Sequence, residues 1–272
     1  MKFVKTIAEV RTQVKEWKRQ GLTVGFVPTM GYLHEGHKSL IDRAVSENDK
    51  VVVSDFVNPI QFGANEDLST YPRDIEADKA LCENAGAAML FNPEPDEMFA
   101  SDFCTFVETQ NLSKELCGKT RPIHFRGVCT IVSKLFNIVT PDRAYFGQKD
   151  AQQLAIIRRM VRAIIKHMVQ DLNMDIEVVG CPIIREEDGL AKSSRNTYLN
   201  AEERKAALVL SKAVFKGEEL IKNGEKNSDV ILNTMKDIIN SEPLTKIDYV
   251  QLVNADSIEP LETAEGRVLV AM

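Results

Sequence analysis

Three observations predict an α/β fold on a parallel sheet, followed by a smaller second domain. Short β-rich runs alternate with longer segments of helical period from residue 22 to residue 181. That alternation is the mark of βαβ units. Polar clusters rich in Gly, His, Gln and Lys sit at the ends of the runs, where open parallel sheets place their ligand crevices. Beyond Pro182 the texture changes to a glycine-marked loop, two helical segments and two short apolar runs.

In order, "LTVGFV" reads as a strand, a helix starts at about His37, and "KVVVSDFV" reads as the next strand. A helix over "RDIEADKALCENAG" and a strand at "AAMLFN" follow. Then come a β-rich run "FCTFVE", a helix containing "GVCTIVSKLFNIV", and the short run "RAYFG". Leu154, Ile157, Val161, Ile164 and Met168 recur at steps of three or four, so "DAQQLAIIRRMVRAIIKHM" is an amphipathic helix. The strand "IEVVGC" closes this region. The loop "REEDGLAKSSRN" leads into helices over "AEERKAALVLSKAVFKGEELIKNGE" and "SDVILNTMKDIIN", then strands at "KIDYVQLV" and "GRVLVA". The boundary falls near Ile184, giving domains over 1–184 and 185–272.

Composition narrows the functions. The 272 residues suffice for one large domain or two, and 44% apolar with 27% charged content is ordinary for a globular protein. No apolar run is long enough for a bilayer, and the first nineteen residues lack an apolar core followed by small residues. A cytoplasmic protein without membrane contact is expected. Cys82, Cys104, Cys117, Cys129 and Cys181 are scattered and never in C-x-x-C spacing, so they read as small buried hydrophobes and not as a disulfide framework or zinc cage. A net charge of −6 with no basic block disfavours nucleic acid and points to small ligands.

Four clusters carry chemistry. "PTMGYLHEGH" follows the first strong strand and holds His34 and His37 among glycines. These imidazoles are open to three readings: surface or capping residues, metal ligands, or donors to phosphate. Metal is the weakest, because "HEGH" is one residue short of the H-E-x-x-H pair. Gly31 and Gly36 let a ligand approach the backbone, and the helix that follows offers free N–H groups to an anion. The second cluster, "NPIQF", sets the amides of Asn58 and Gln61 at a strand end, suited to a hydroxylated, carboxylated molecule or to an ordinary Asn-Pro turn. In the third, "FGQKDAQQ", Lys149 stands at the opening turn of a helix, where the dipole disfavours it unless an anion is present. Asp150 also suits a plain helix N-terminus, and Gln152 and Gln153 point about 100° apart, so one of them faces the crevice. The fourth, "GLAKSSRN", is a polar loop that could close over a polyphosphate or simply be solvated. Together they are equipment for stabilising charge on a transferring phosphorus centre.

From about residue 20 to residue 200, "PTMGYLHEGH", "FVNPIQF", "YPRD", "HFRGVCTIVSKLFNIVTPDRAYFGQKDAQQL" and "DGLAKSSRNTYL" resemble the pantoate–β-alanine ligases, block by block and in order. The resemblance implies a Rossmann-like sheet of the class I synthetase and nucleotidyltransferase type, a smaller α+β C-terminal lid domain, and a homodimer. It implies that pantoate and ATP give pantoyl adenylate and pyrophosphate, and that β-alanine then yields pantothenate and AMP, with Mg2+ on the phosphates. Met30, Gly31, Tyr32, Leu33, His34, Glu35, Gly36 and His37 then form the nucleotide loop, with both imidazoles on the ATP phosphates and His37 as proton donor. Gln61 and Gln153 hold pantoate. Gly147, Gln148, Lys149 and Asp150 form a second ATP segment, Lys149 on phosphate and Asp150 on ribose. Ile184 meets adenine through its backbone, and Lys192, Ser193, Ser194 and Arg195 form the closing loop. The catalytic set implied is His34, His37, Lys149, Ser193 and Arg195. The resemblance gives His124 and Arg126 no role and no protein ligand for the metal.

Three departures stand out. Position 192 is often apolar in such proteins and is Lys192 here; the segment before "MDIEVV" is longer than usual; and the chain stops at Met272, where a further strand segment is expected. The rival readings are a nucleotidyltransferase acting on a phosphorylated substrate, which shares the histidines without needing Gln61 and Gln153, and a nucleotide-binding protein without catalysis.

Overall fold

A computed structural model of the chain describes residues 1–161 and 172–272. Ile164, Met168 and the lengthened segment before "MDIEVV" lie outside the described residues or at their border. The chain begins with β1 (Lys2–Val4) and α1 (Ile7–Arg19), then β2 (Val24–Thr29), α2 (Glu35–Glu47), β3 (Lys50–Asp55), α3 (Ile75–Asn84) and β4 (Met89–Phe91). Two single turns, α4 (Pro95–Met98) and α5 (Cys117–Thr120), precede α6 (His124–Val139), β5 (Arg143–Gly147), α7 (Ala151–Val161) and β6 (Glu177–Cys181). The remainder holds α8 (Ala201–Ala206), α9 (Leu208–Lys222), α10 (Ser228–Asn240), β7 (Gln251–Asn254) and β8 (Val268–Ala271).

The first six strands form one parallel sheet in the order β1-β4-β3-β2-β5-β6. Strand order therefore runs one way from β2 through β3 and the other way from β2 through β5. The reversal opens a crevice beyond their carboxyl ends. Thr29 pairs with Asp55 in the β2–β3 register, so the loops after β2, β3 and β5 leave the sheet at the same edge.

Burial follows the period-two geometry of strands. Phe26, Val52, Met89, Phe91, Ala144 and Phe146 face a core built with α1, α6 and α7. Val27, Val51, Val53, Leu90 and Tyr145 face the opposite core, covered by α2 and α3. Both faces are buried, which is why these strands read as nearly continuous apolar runs. Thirteen residues of α6 are buried, so it is an inner helix, and each fully buried large apolar side chain contributes about 1.5–3 kcal/mol. The later elements enclose a separate core of Ala213, Ile231, Met235, Ile239, Val250 and Leu252, joined to the first region where Val253 and Ile258 meet Leu116 and Ala155.

The structure corrects several sequence expectations. "FCTFVE" is not a strand: it runs along α6, with the Val107 N–H donating to Thr130 Oγ1 (2.9 Å) and the Lys134 ammonium over the Phe103 ring. β1 and α1 escaped the strand-helix reading, although Thr6 and Glu9 form a capping box ahead of the Val10, Val14 and Trp17 stripe. The helix over 201–225 is broken at Ala207 into α8 and α9. The strand in "KIDYVQLV" is confined to Gln251–Asn254, antiparallel to β8. Cys82, Cys129 and Cys181 are buried as expected, but Cys117 is half-buried and Cys104 exposed.

Gly127 connects packing to the site. A Cβ there would lie 2.5 Å from Gln61 Cα and from the Ile60 carbonyl oxygen, so α6 approaches the turn after β3 closely only because this residue is glycine. Gly127→Ala should cost about 1–3 kcal/mol by overpacking, read as a lower urea midpoint; an unchanged midpoint would show that the turn yields freely.

Candidate active site

The loop after β2 is determined by its backbone. Gly31 (φ 79°) and Tyr32 (φ 51°) turn it through the left-handed region, and Thr29 Oγ1 accepts the Gly31 N–H while donating to the Ser54 carbonyl. Asp78, in the first turn of α3, accepts the Tyr32 and Leu33 N–H groups at 2.7 and 2.6 Å. The helix then opens at Glu35, two residues earlier than expected, because His34 itself caps it. His34 Nδ1 accepts the Gly36 N–H (3.0 Å), and His37 Nδ1 accepts the His34 N–H (3.3 Å).

The capping reading and the donor reading are therefore compatible. Each ring spends Nδ1 as an acceptor, which puts the proton of the neutral imidazole on Nε2. The rings stand 4.1 Å apart, and both line the cavity. Burial, reinforced by His34 and Lys149, pushes the His37 pKa down to about 3; burial and Lys149 lower that of His34. Two neutral N–H donors result.

After β3, a 3-10 turn at Pro59–Gln61 carries the amides. Asn58 Nδ2 donates to Gln61 Oε1 (2.9 Å) and the Gly127 carbonyl (3.1 Å), and Gln61 Nε2 donates to the weak thioether acceptor of Met30 (2.8 Å). Asn58 Oδ1 is buried with no hydrogen-bond partner. His124 Nδ1 bonds the Gln61 carbonyl (3.1 Å), which makes it the donor and leaves Nε2 as an acceptor, the reverse of His34 and His37. Burial and Arg121 push the His124 pKa down to about 4.

β5 ends in a 3-10 turn at Gln148–Asp150 that leads into α7. Lys149 Nζ lies 3.6 Å from Asp150, and both line the cavity. Gln153 joins them; Gln152 points away and donates to the Leu112 and Glu115 carbonyls, so one of the two glutamines faces the crevice as the helix geometry requires.

The fourth wall is a hairpin closed by the Arg185–Ala191 bridge and by the Lys192 N–H to Ile184 carbonyl bond (2.9 Å). Gly189, at φ 97°, makes its turn. Ser194 Oγ donates to the Tyr32 carbonyl (3.1 Å), which ties this segment to the loop after β2. Arg195 grips Asp67 through two bonds of 2.8 and 3.0 Å and lies over the Tyr71 ring. Lys192 Nζ bridges Glu35 (2.9 Å) and Glu186 (3.0 Å).

One cavity thus gathers Met30, His34, Gly36, His37, Gln61, Gly147, Lys149, Asp150, Gln153, Ile184, Lys192, Ser193, Ser194 and Arg195. Gly31, Tyr32, Leu33 and Glu35 shape or flank the loop without lining that cavity, and Gln148 lines a different cleft. Sequence reasoning assigned no site role to Tyr71 or Arg121 and none to His124, which also line it. "YPRD" and "HFRG" were signals without chemistry of their own, because Tyr71 is defined by the Arg195 guanidinium over its ring and His124 by its bond to Gln61; Arg121, outside both blocks, is defined by its pair with Glu66. Four cations, Arg121, Lys149, Lys192 and Arg195, face a single acid, Asp150, in the lining of a chain whose net charge is −6. Among the described residues no group of three His, Cys, Asp or Glu is placed to hold a metal ion.

A crevice at the switch point of a parallel sheet, walled by neutral imidazole donors, cations and buried amides, defines an α/β enzyme that handles anionic small molecules. The sequence profile described as "Pantoate-beta-alanine ligase" matches residues 2–272, and the chain belongs to that family. It is 61% identical to the pantothenate synthetase of Ruminiclostridium cellulolyticum over all of this chain and 94% of that one. The crystal structure of pantothenate synthetase from Thermus thermophilus is similar with a TM-score of 0.91 at 44% identity, covering 98% of this chain and 92% of its own. That of the pantoate-beta-alanine ligase from Francisella tularensis, complexed with beta-gamma ATP and beta-alanine, is similar with a TM-score of 0.75 at 32% identity, covering 92% and 89%.

His37 binds a proton less readily folded than unfolded, so the stability it contributes is present above about pH 6.5 and is lost as pH falls toward 3. In a ligand-free NMR titration its ring should stay neutral, Nε2-protonated, down to about pH 4; a midpoint near 6.5 would contradict its burial.

Proposed function

We propose that this chain condenses pantoate with β-alanine at the expense of ATP, through pantoyl adenylate, releasing pyrophosphate and AMP. The observation that carries this reading is the convergence of His34, His37, Lys149, Ser193 and Arg195 on one cavity beside Gln61 and Gln153, in a member of this family.

The first step joins a carboxylate oxygen to the α-phosphorus and breaks its bond to pyrophosphate. A carboxylate is ionised at neutral pH and needs no general base, so the protein's work is alignment and charge stabilisation. The Nε2–H groups of His34 and His37 donate to the phosphates, and Lys149, whose contact to Asp150 is long at 3.6 Å, supplies the least compensated positive charge. Arriving phosphate charge raises the basicity of the imidazoles, the condition under which His37 can act as a proton donor. Ser193 and Arg195 complete the phosphate wall, Asp150 meets the ribose and the Ile184 backbone the adenine. Gln61 Nε2 exchanges its weak thioether partner for pantoate oxygen, and the orphaned Asn58 Oδ1 accepts a pantoate hydroxyl. Gln153 binds pantoate from the α7 side.

In the second step the β-alanine nitrogen attacks the acyl carbon, the tetrahedral carbon expels AMP, and the amine proton is lost. The loop over 189–196 excludes water from the mixed anhydride. Mg2+ enters as part of the ATP substrate, in keeping with a lining that holds one carboxylate. Residues 1–184 act as the nucleotide and pantoate domain and 185–272 as the lid domain; the separate apolar core of the later elements supports this division. No described helix is long and apolar enough to cross a membrane. The working form in this reading is a cytoplasmic homodimer, for which light scattering should return twice the chain mass.

Pantoate-dependent exchange of labelled pyrophosphate into ATP tests the reaction, since neither a nucleotidyltransferase of another substrate nor a mere nucleotide binder performs it. His37→Ala and Lys149→Ala should each lower that exchange by about 10²–10³-fold with the fold retained; wild-type exchange by either variant would remove its assigned role. Gln61→Ala should weaken pantoate binding in calorimetry by roughly tenfold, about 1.4 kcal/mol, and an unaltered affinity would take Gln61 out of the pantoate site.

A further inference from the structure

Beneath the loop after β2 lie two buried carboxylates that the chemistry above does not use. Asp55, at the carboxyl end of β3, is 6% exposed, and Asp78, in α3, is 1% exposed. Asp78 holds the Tyr32 and Leu33 N–H groups. Asp55 presses against the neighbouring turn so closely that a Cβ on Gly31 would lie 2.3 Å from its Oδ1. Asp78 therefore holds two residues of the segment that delivers His34, and Asp55 packs against the residue before them. The Asp55 and Asp78 side chains hydrogen-bond each other, and both cannot be ionised at such proximity without strong repulsion.

We propose that Asp55 and Asp78 are a proton-sharing positioning pair: the protonated Asp55 donates to ionised Asp78, which in turn fixes the loop for nucleotide binding. The proton belongs on Asp55 because two backbone N–H groups favour the ionised form of Asp78 and, among the described residues, none bonds the Asp55 side chain. Burial first and Asp78 second push the Asp55 pKa up to about 7, with Arg73 opposing. Burial also raises Asp78, which Asp74 faces as well. The Cys82 thiol, one turn along α3, is pushed up to about 12 by burial and by both acids, so it stays neutral and adds no further negative charge. Above neutrality the shared proton leaves, the acids repel, and the loop loses its anchor. This inference rests on the reading of that loop as the nucleotide loop.

Asp55→Asn tests it on the full chain, because the amide still donates to Asp78 but cannot ionise; Asp78→Asn is the companion variant. The wild-type KM for ATP should rise by roughly tenfold, the worth of one pKa unit, as pH climbs through about 7, with kcat changing less. Asp55→Asn should abolish that rise, and Asp78→Asn should raise KM at every pH. Thermal midpoints need no substrate. Asp55 binds its proton more tightly folded than unfolded, so its contribution to stability is full below about pH 4 and is lost as pH rises through about 7. Asp55→Asn should therefore gain midpoint relative to the wild type over that window. A midpoint difference independent of pH, or a KM rise retained in Asp55→Asn, overturns the pair. A wild type without pantoate-dependent exchange overturns the ligase reading instead, and the midpoints still decide the pair.

Discussion

The site depends on how two imidazoles divide their nitrogens. His34 and His37 each give Nδ1 to a backbone N–H at the opening of α2, which satisfies donors that a helix start leaves without partners. That structural duty fixes the tautomer and turns each Nε2–H into a donor available to the cavity. Neutral donors suit a polyphosphate site: they keep the free pocket from accumulating buried charge, and they become more basic as negative charge arrives. A glutamine or lysine could supply a donor here, but neither could also accept the backbone bond and shift its basicity on demand.

The sheet then determines what those donors meet. Because β2 is flanked by β3 on one side and β5 on the other, the loops bearing His34, Gln61 and Lys149 leave the same edge. Gly127 lets α6 press against the turn of Gln61, and Asn58 ties that turn to the Gly127 carbonyl. Gln61 is thus a buried amide held by its backbone and by the Asn58 bond to its Oε1, with its Nε2 engaged only by a weak thioether acceptor. Fixed amides suit recognition of a small hydroxy acid better than mobile charges do, since little side-chain entropy remains to be lost on binding.

What was legible in the sequence was what local chemistry specifies. The alternation of apolar runs located β2 through β6, and the junction clusters named the residues that line the cavity. Residues whose role comes from distant partners were not legible: Arg121 acquires its role from Glu66, and His124 from the Gln61 carbonyl. "FCTFVE" has strand composition but runs along α6 without a strand partner, and composition cannot reveal whether an edge is available. Lys192 was equally opaque, because nothing local indicates that Glu35 and Glu186 converge on it.

In the reading proposed above, the same ion pairs would let the cavity exchange substrate and product. Lys192 to Glu35 joins the late loop to the opening of α2, Arg195 to Asp67 joins it to the segment after β3, and Lys192 to Glu186 stays within the hairpin, all through groups that remain partly exposed. Pairs of this kind are weak individually and screened by salt. Beyond them the loop adds the Ser194 bond to Tyr32, not a continuous apolar seam. In the proposed reading, triphosphate oxygens would compete for Lys192 and Arg195, so that the nucleotide replaces internal carboxylates as partners without leaving either cation unpaired. On that reading, closure over the substrate would be an exchange of anions around fixed cations, and release of pyrophosphate would return those cations to their acids.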